Sequence, residues 1–196
     1  MELTLGQIVH QSWKVLAEGS QLSDHPFRNF TIAHAAAGGI NAYTVVLRDV
    51  HMQAREVIFY TDVRSEKIGE LQADNHVTAV FYNRQQQVQL IVKGRVVINA
   101  QSDVALQHWK KSGYKGRNSY LAQQPPSTPV AQPVDGLEYL KGKSFMDKDM
   151  AGYENFAVVT INVTGLEYLK LDRQEGNRRA RFSWVANEWQ GSWIIP

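Results

Sequence analysis

Near the start of the chain, apolar residues recur at helical spacing. Leu5, Ile8, Val9, Ser12 and Leu16 fall on one side of an amphipathic helix expected over residues 3–18. A polar loop with Pro26 follows at 20–28, and strands then dominate. Phe30 to Ala36 and Ala42 to Arg48 read as a hairpin turning at Gly38 and Gly39. Further strands are expected at Val57–Thr61, Val77–Tyr82 and Val88–Ile98, with a short helix at Ser65–Ala73. Asp103 is expected to cap a helix running through His108 and Trp109 towards Ser112. Four prolines between Pro125 and Pro133 make Gln123–Asp135 an extended loop, and Leu137 to Tyr153 has mixed character. The last strands are expected at Phe156–Val163, Leu166–Leu171, Arg179–Val185 and Trp189–Ile195. Eight or nine short strands with few helices indicate a mainly β fold, an antiparallel barrel or sandwich.

Composition narrows the class. A chain of 196 residues with 43% apolar and 20% charged residues reads as one soluble globular domain. A net charge of +2 gives no electrostatic reason to expect a nucleic-acid partner. With no cysteine, disulfides, thiolate metal sites and cysteine nucleophiles are ruled out. The first residues lack a basic segment before an apolar core, and no window approaches eighteen apolar residues. The expectation is a cytoplasmic protein that neither spans nor binds a membrane.

The sequence carries neither a dinucleotide nor a Walker phosphate loop, and no nucleophile elbow. His10, His25, His34, His51, His76 and His108 show no metal-ligand spacing and read as surface or loop residues. The stretch V-I-F-Y-T-D-V-R-S-E-K from Val57 to Lys67 stands out. There an apolar strand runs into Tyr60, Thr61, Arg64, Ser65 and Lys67, which offer hydroxyls, amides and two cations at a helix start. A phosphate monoester requires such donors, and charge-assisted hydrogen bonds of this kind contribute about 1.5–3 kcal/mol each. In the strand Ala42–Arg48, alternation puts Thr44, Val46 and Arg48 on one face and Tyr43, Val45 and Leu47 on the other. Gln89, Ile91 and Lys93 share a face of a later strand. Arg181 lies in an aromatic strand, where a desolvated guanidinium calls for an anionic or planar partner. Trp184, Trp189 and Trp193 read as barrel packing.

Taken in order, V-V-L-R, F-Y-T-D-x-R-S-x-K, a strand ending Phe81-Tyr82, Q-x-x-x-x-G and the closing E-Y-L-K-L…R-F…I-I-P resemble the pyridoxamine 5′-phosphate oxidase-like family of FMN-binding split barrels. The resemblance runs from about Phe30 to Pro196. It implies a split barrel that forms a homodimer, with FMN at the subunit interface and a small-molecule substrate. Tyr43, Thr44, Val45, Val46 and Arg48 would then line the flavin, with Tyr60 and Thr61 beside the ring and ribityl chain. Arg64, Ser65 and Lys67 would hold the phosphate. Gln89 matches a flavin-contacting glutamine five residues before Gly94, and Gln124 the polar contact of the second subunit. Leu169 and Arg181 match late positions that close over the ring, where the family favours tryptophan at the first.

The chain also departs from the family. Tyr43 stands where the first motif usually begins with arginine, and Glu66 stands where the vitamin-making oxidases commonly carry arginine. The substrate-clamping R-x-H is represented by Asn177, Arg178 and Arg179, without its histidine. FMN binding therefore survives the comparison better than oxidation of a pyridoxal-type substrate. The expected function is an FMN-dependent oxidoreductase of undefined substrate. The alternatives are a true pyridoxamine or pyridoxine 5′-phosphate oxidase and a non-catalytic flavin- or haem-binding barrel.

Overall fold

The computed structural model describes residues 3–140 and 150–196, the side chains of Tyr114 and Lys115 excepted. Among the described residues, four α-helices and nine strands follow the order α1 (Leu5–Gln21), β1 (Asn29–Ala36), β2 (Gly39–Val46), β3 (Asp49–His51), β4 (Glu56–Asp62), α2 (Glu66–Ala73), β5 (His76–Asn83), β6 (Val88–Ala100), α3 (Asp103–Lys111), α4 (Tyr114–Arg117), β7 (Phe156–Lys170), β8 (Arg178–Val185) and β9 (Glu188–Ile194). Hydrogen bonding orders the sheet β2-β1-β5-β6-β7-β4-β3, with β8 on β7 and β9 on β8. The path ends at β2 and β3 without closing among the described residues, which is a split barrel. Among those residues no helix is long and apolar enough to cross a membrane.

The chain condenses into two compact units. The larger holds Met1–Phe59, Glu70–Val97 and Thr160–Pro196, and the smaller Tyr60–Gly69 and Ile98–Val159. In the larger unit, Thr4 starts α1 with a capping box: its hydroxyl accepts from the Gln7 amide, and the Gln7 side chain accepts from the Thr4 amide. Ile8, Ser12, Trp13, Leu16 and Gly19 form the buried face, and Trp13 packs against Trp189 with ring centroids 6.2 Å apart. The β1–β2 hairpin pairs Ala36 with Gly39, and Gly38 in the turn adopts φ +87°, a left-handed conformation natural to glycine. The core here is aromatic. Phe30 stacks on Phe81 at 4.5 Å and meets Phe59 edge-on at 6.1 Å, and Phe27 meets Phe81 edge-on.

The smaller unit has its own aromatic centre, with Phe156 touching Tyr60, Trp109 and Tyr120 at centroid separations of 4.9–5.2 Å. Helix α3 is capped by the Ser102 hydroxyl, which accepts from the Ala105 amide, and not by Asp103, which sits in the first turn. The Arg117 side chain covers the other end of α3, donating to the carbonyls of Trp109 and Lys110. Residues 123–135 contain no helix or strand.

Two further expectations need correcting. Phe156–Val163 and Leu166–Leu171 are one strand, β7, because the backbone ladder continues through Thr164 and Gly165. Trp184 and Trp189 do pack, edge-on at 5.4 Å, but Trp193 is exposed.

Candidate functional site

The corner after β4, in the smaller unit, is built by local hydrogen bonds. The Asp62 carbonyl accepts from the Ser65 amide, and the Ser65 carbonyl from the Ile68 amide, which turns the chain from strand into α2. Asp62 is buried and would be costly without compensation. Arg64 supplies it, donating from Nε and Nη2 to the two carboxylate oxygens at 2.9 and 2.7 Å. Its remaining terminal nitrogen donates to the Ala122 carbonyl at 2.9 Å, so Arg64 ties this corner to the segment leading into Gln124. The same bond to Asp62 raises the Arg64 pKa further above its ordinary value. Lys67 donates to the buried Ser65 hydroxyl at 2.8 Å. Tyr60 shares a 2.9 Å hydrogen bond with His108 Nδ1, and Thr61 is buried beside it in sequence. Five of the sequence-implied residues are thus gathered on one strand-turn-helix corner. Their donor set fits a phosphate: an ammonium and a hydroxyl already in contact, with a compensated ion pair beside them.

In the larger unit, Tyr43 to Arg48 belong to β2 and its exit. Tyr43 is tied inward, its hydroxyl 2.8 Å from His34 Nε2. Nδ1 of His34 faces the Ala35 carbonyl at 2.8 Å, so that nitrogen carries the ring proton and Nε2 accepts from tyrosine when the ring is neutral. Burial, then the Glu70 charge, push the Tyr43 hydroxyl well above its ordinary range, so it stays protonated. Where the family it resembles usually has an arginine, this chain has a hydrogen-bonded neutral phenol. Thr44 is exposed, while Val45, Val46 and Arg48 are half-buried.

Leu169 on β7 lies directly opposite Arg179 on β8, and Glu167 opposite Arg181. The partner that Arg181 requires is Glu167. Its side chain is only 6% exposed and receives Arg181 Nε at 3.1 Å, Lys93 Nζ at 3.3 Å and Arg179 Nη2 at 2.8 Å. Burial alone would raise this carboxyl, but the hydrogen bonds from Arg179, Lys93 and Arg181 outweigh it and hold the group below the usual carboxylate range. A pH dependence follows. The unfolded carboxyl titrates near about 4.3, so its contribution to stability is complete above that value and is lost as pH falls through the lower folded one. Urea midpoints between about pH 6 and pH 3 are expected to fall more for the wild type than for Glu167→Gln. Equal losses would remove Glu167 from the acid response.

Gln89 is half-buried on β6 opposite Tyr82, and Gln124 is exposed on the proline-rich loop. A cavity of about 210 Å³ bounded by α1, with Ser12, His25, Asn83 and Tyr168 among its lining, contains none of the sequence-implied residues. The reading of every histidine as superficial fails for His34 and His108, which are buried because each has a tyrosine hydroxyl as partner. No cluster of metal-ligating side chains occurs among the described residues. Sequence reasoning also missed Glu167. Its one signal in the sequence is Arg181 itself, a guanidinium in an aromatic strand that requires an anionic or planar partner.

Residues 10–100 match the family model for the pyridoxamine 5′-phosphate oxidase, FMN-binding domain. No curated protein matches the chain. Among solved structures, it is similar to a pyridoxamine 5′-phosphate oxidase-related, FMN-binding protein from Nostoc punctiforme, with 20% identity, full coverage of both chains and a TM-score of 0.77. It is also similar to PhzG from Burkholderia lata, crystallised with tetrahydrophenazine-1-carboxylic acid, at 16% identity, TM-score 0.70, and coverage of 96% of this chain and 91% of that one. A Clostridium acetobutylicum protein related to general stress protein 26 follows at 12% identity, TM-score 0.53, and coverage of 85% and 94%. At these identities the structural likeness establishes the fold.

Proposed function

Since this chain folds as a split barrel and its residues 10–100 match the pyridoxamine 5′-phosphate oxidase, FMN-binding domain, we propose that it is a homodimeric flavoprotein of that family, an FMN-dependent oxidoreductase acting on a small molecule. The observation that carries the reading is the Lys67–Ser65 pair at the start of α2, a charged and a neutral donor 2.8 Å apart where the family's phosphate motif falls. Lys67 and Ser65 would hold the terminal phosphate, reinforced by Arg64 from its seat on Asp62. Tyr60 and Thr61 would flank the cofactor, with the His108 bond fixing the tyrosine. Tyr43 to Arg48, Gln89, Gln124, Leu169 and Arg181 enter the proposal on the resemblance alone. Bound FMN would supply the redox chemistry, and the protein its binding, orientation and electrostatics.

Strand β2 supports the homodimer. It is exposed along most of its length, and Ile40 is 77% exposed on it, an edge that a second copy would cover. The purified protein, with FMN added, is expected to show the two flavin absorption bands and to run by light scattering at twice the chain mass. Absence of the bands after FMN addition would sink the flavoprotein reading, and a monomer that binds FMN tightly would sink the interface. Bleaching of the bands by NAD(P)H under anaerobic conditions separates an enzyme from a carrier.

A further inference from the structure

The cavity of about 210 Å³ behind α1 lies wholly within the larger unit. Val88 and Leu90 flank Gln89 in β6, and Tyr168 flanks Leu169 in β7. These lining residues therefore face the opposite side of their strands from the sequence-implied flavin positions. Gly19 lets α1 approach the His25–Phe27 segment closely, since a Cβ there would lie 3.1 Å from both His25 Nδ1 and Phe27 Cβ. Ile8, Phe27 and Leu90 give the cavity buried apolar walls. An apolar cavity of about 150 Å³ accommodates benzene, so this one has room for a single ring with a substituent.

Its polar groups are mostly donors left unspent. Asn83 is 7% exposed, and its Oδ1 accepts from the Gln85 and Gln86 amides, both at 3.0 Å. Those two bonds fix the amide orientation, and Nδ2 donates to no described residue. His25 Nδ1 accepts from the Phe27 amide at 3.1 Å, so in the neutral ring Nε2 carries the proton. The Tyr168 hydroxyl has no partner among the described residues, and burial, against the Arg178 charge, raises its pKa and keeps it protonated. On the acceptor side stands the Glu18 carboxylate, with Lys14 at 4.0 Å outside the cavity. No lysine or arginine is among the described lining residues.

We propose that this cavity binds a small uncharged aromatic ring bearing a carboxamide or a similarly paired acceptor and donor. Ile8, Phe27 and Leu90 cover the ring. The donors of Asn83, His25 and Tyr168 serve its acceptor edge, and Glu18 accepts from its N–H. Buried apolar walls with a few convergent polar groups are the usual make-up of a small-molecule site. An aromatic carboxylate of the same shape is rejected, because its charge would be buried beside Glu18 without a cation. Binding here does not depend on FMN.

Benzamide, benzoate and acetamide, titrated calorimetrically into the full chain, provide the test. Benzamide is expected to bind at least tenfold more tightly than benzoate, which has its shape but a charge, and than acetamide, which lacks the ring. Tyr168→Phe and Asn83→Asp, the latter keeping the oxygen that holds the Gln85 and Gln86 amides, are each expected to weaken benzamide at least tenfold. Val15→Trp places an indole in the cavity and is expected to abolish binding with circular dichroism unchanged. Benzoate binding as tightly as benzamide would overturn the proposal, as would benzamide affinity unchanged by Val15→Trp. Should that variant fail to fold, unchanged affinity in both Tyr168→Phe and Asn83→Asp would overturn it equally. A cavity that holds only water would take up none of the three probes, which also removes the site. Displacement of benzamide by added FMN would merge it with the cofactor site and overturn it as a separate one.

Discussion

Gly94→Ala is expected to destabilise the protein by about 3 kcal/mol, the upper end of what overpacking usually costs. A Cβ at this position would sit 2.3 Å from the Asn162 carbonyl oxygen and 2.9 Å from the Ile161 side chain. The closest obstacle is backbone, so no rotamer change relieves it. The strand must move, and Gly94 is held on its other side by pairing with Val77 of β5. Urea denaturation of the variant is expected to show a clearly lowered midpoint at unchanged slope. A midpoint within error of the wild type would mean that the two segments separate at little cost. Gly94 is also the glycine of the Q-x-x-x-x-G motif, so the structure supplies a steric reason for the residue that the motif alone does not.

Lys67→Ala is expected to weaken FMN binding ten- to a hundredfold, equivalent to roughly 1.5–3 kcal/mol for one charge-assisted contact. The ammonium is the cation at the β4–α2 corner that the neighbouring Asp62 does not hold, since Asp62 is taken in two-point contact by Arg64. Removing Lys67 leaves the Ser65 hydroxyl without this donor and takes one positive charge from the proposed phosphate site. Fluorescence titration with FMN measures the change, and Lys67→Arg provides the charge-preserving control. An affinity unaltered by Lys67→Ala would exclude this ammonium from phosphate binding.

Much of this architecture could be read from local pattern. The helix at the start, the glycine-turned hairpin, the corner at Val57–Lys67 and the proline-rich loop all announce themselves within windows of a few residues, where periodicity and turn chemistry act. The misreadings of buried polar residues share a different cause. His34 meets Tyr43 nine residues away, across a hairpin, and His108 meets Tyr60 forty-eight residues away, so each burial depends on a partner that no local pattern names. Glu167 looked like an ordinary polar position in a strand until three cations from β6 and β8 converged on it. Strand β7 was split at Thr164-Gly165 because these residues interrupt the apolar run, although a ladder needs only their backbone groups. The cap of α3 fell one residue from its expected place, where two adjacent residues could each have served. Of the mixed stretch from Leu137 to Tyr153, residues 141–149 lie outside the described residues.

The contact between Trp13 and Trp189 provides an optical handle. Trp13 is fully shielded from solvent and tilted at 46° to Trp189, which in turn meets Trp184 beneath the Arg55 guanidinium. Peeling α1 away would strip one indole of its neighbours and hydrate it, shifting emission to the red. Trp109, in the other compact unit, is the main competing fluorophore buried among aromatics. With that residue silenced by phenylalanine, intrinsic fluorescence would follow detachment of the first helix without any attached dye.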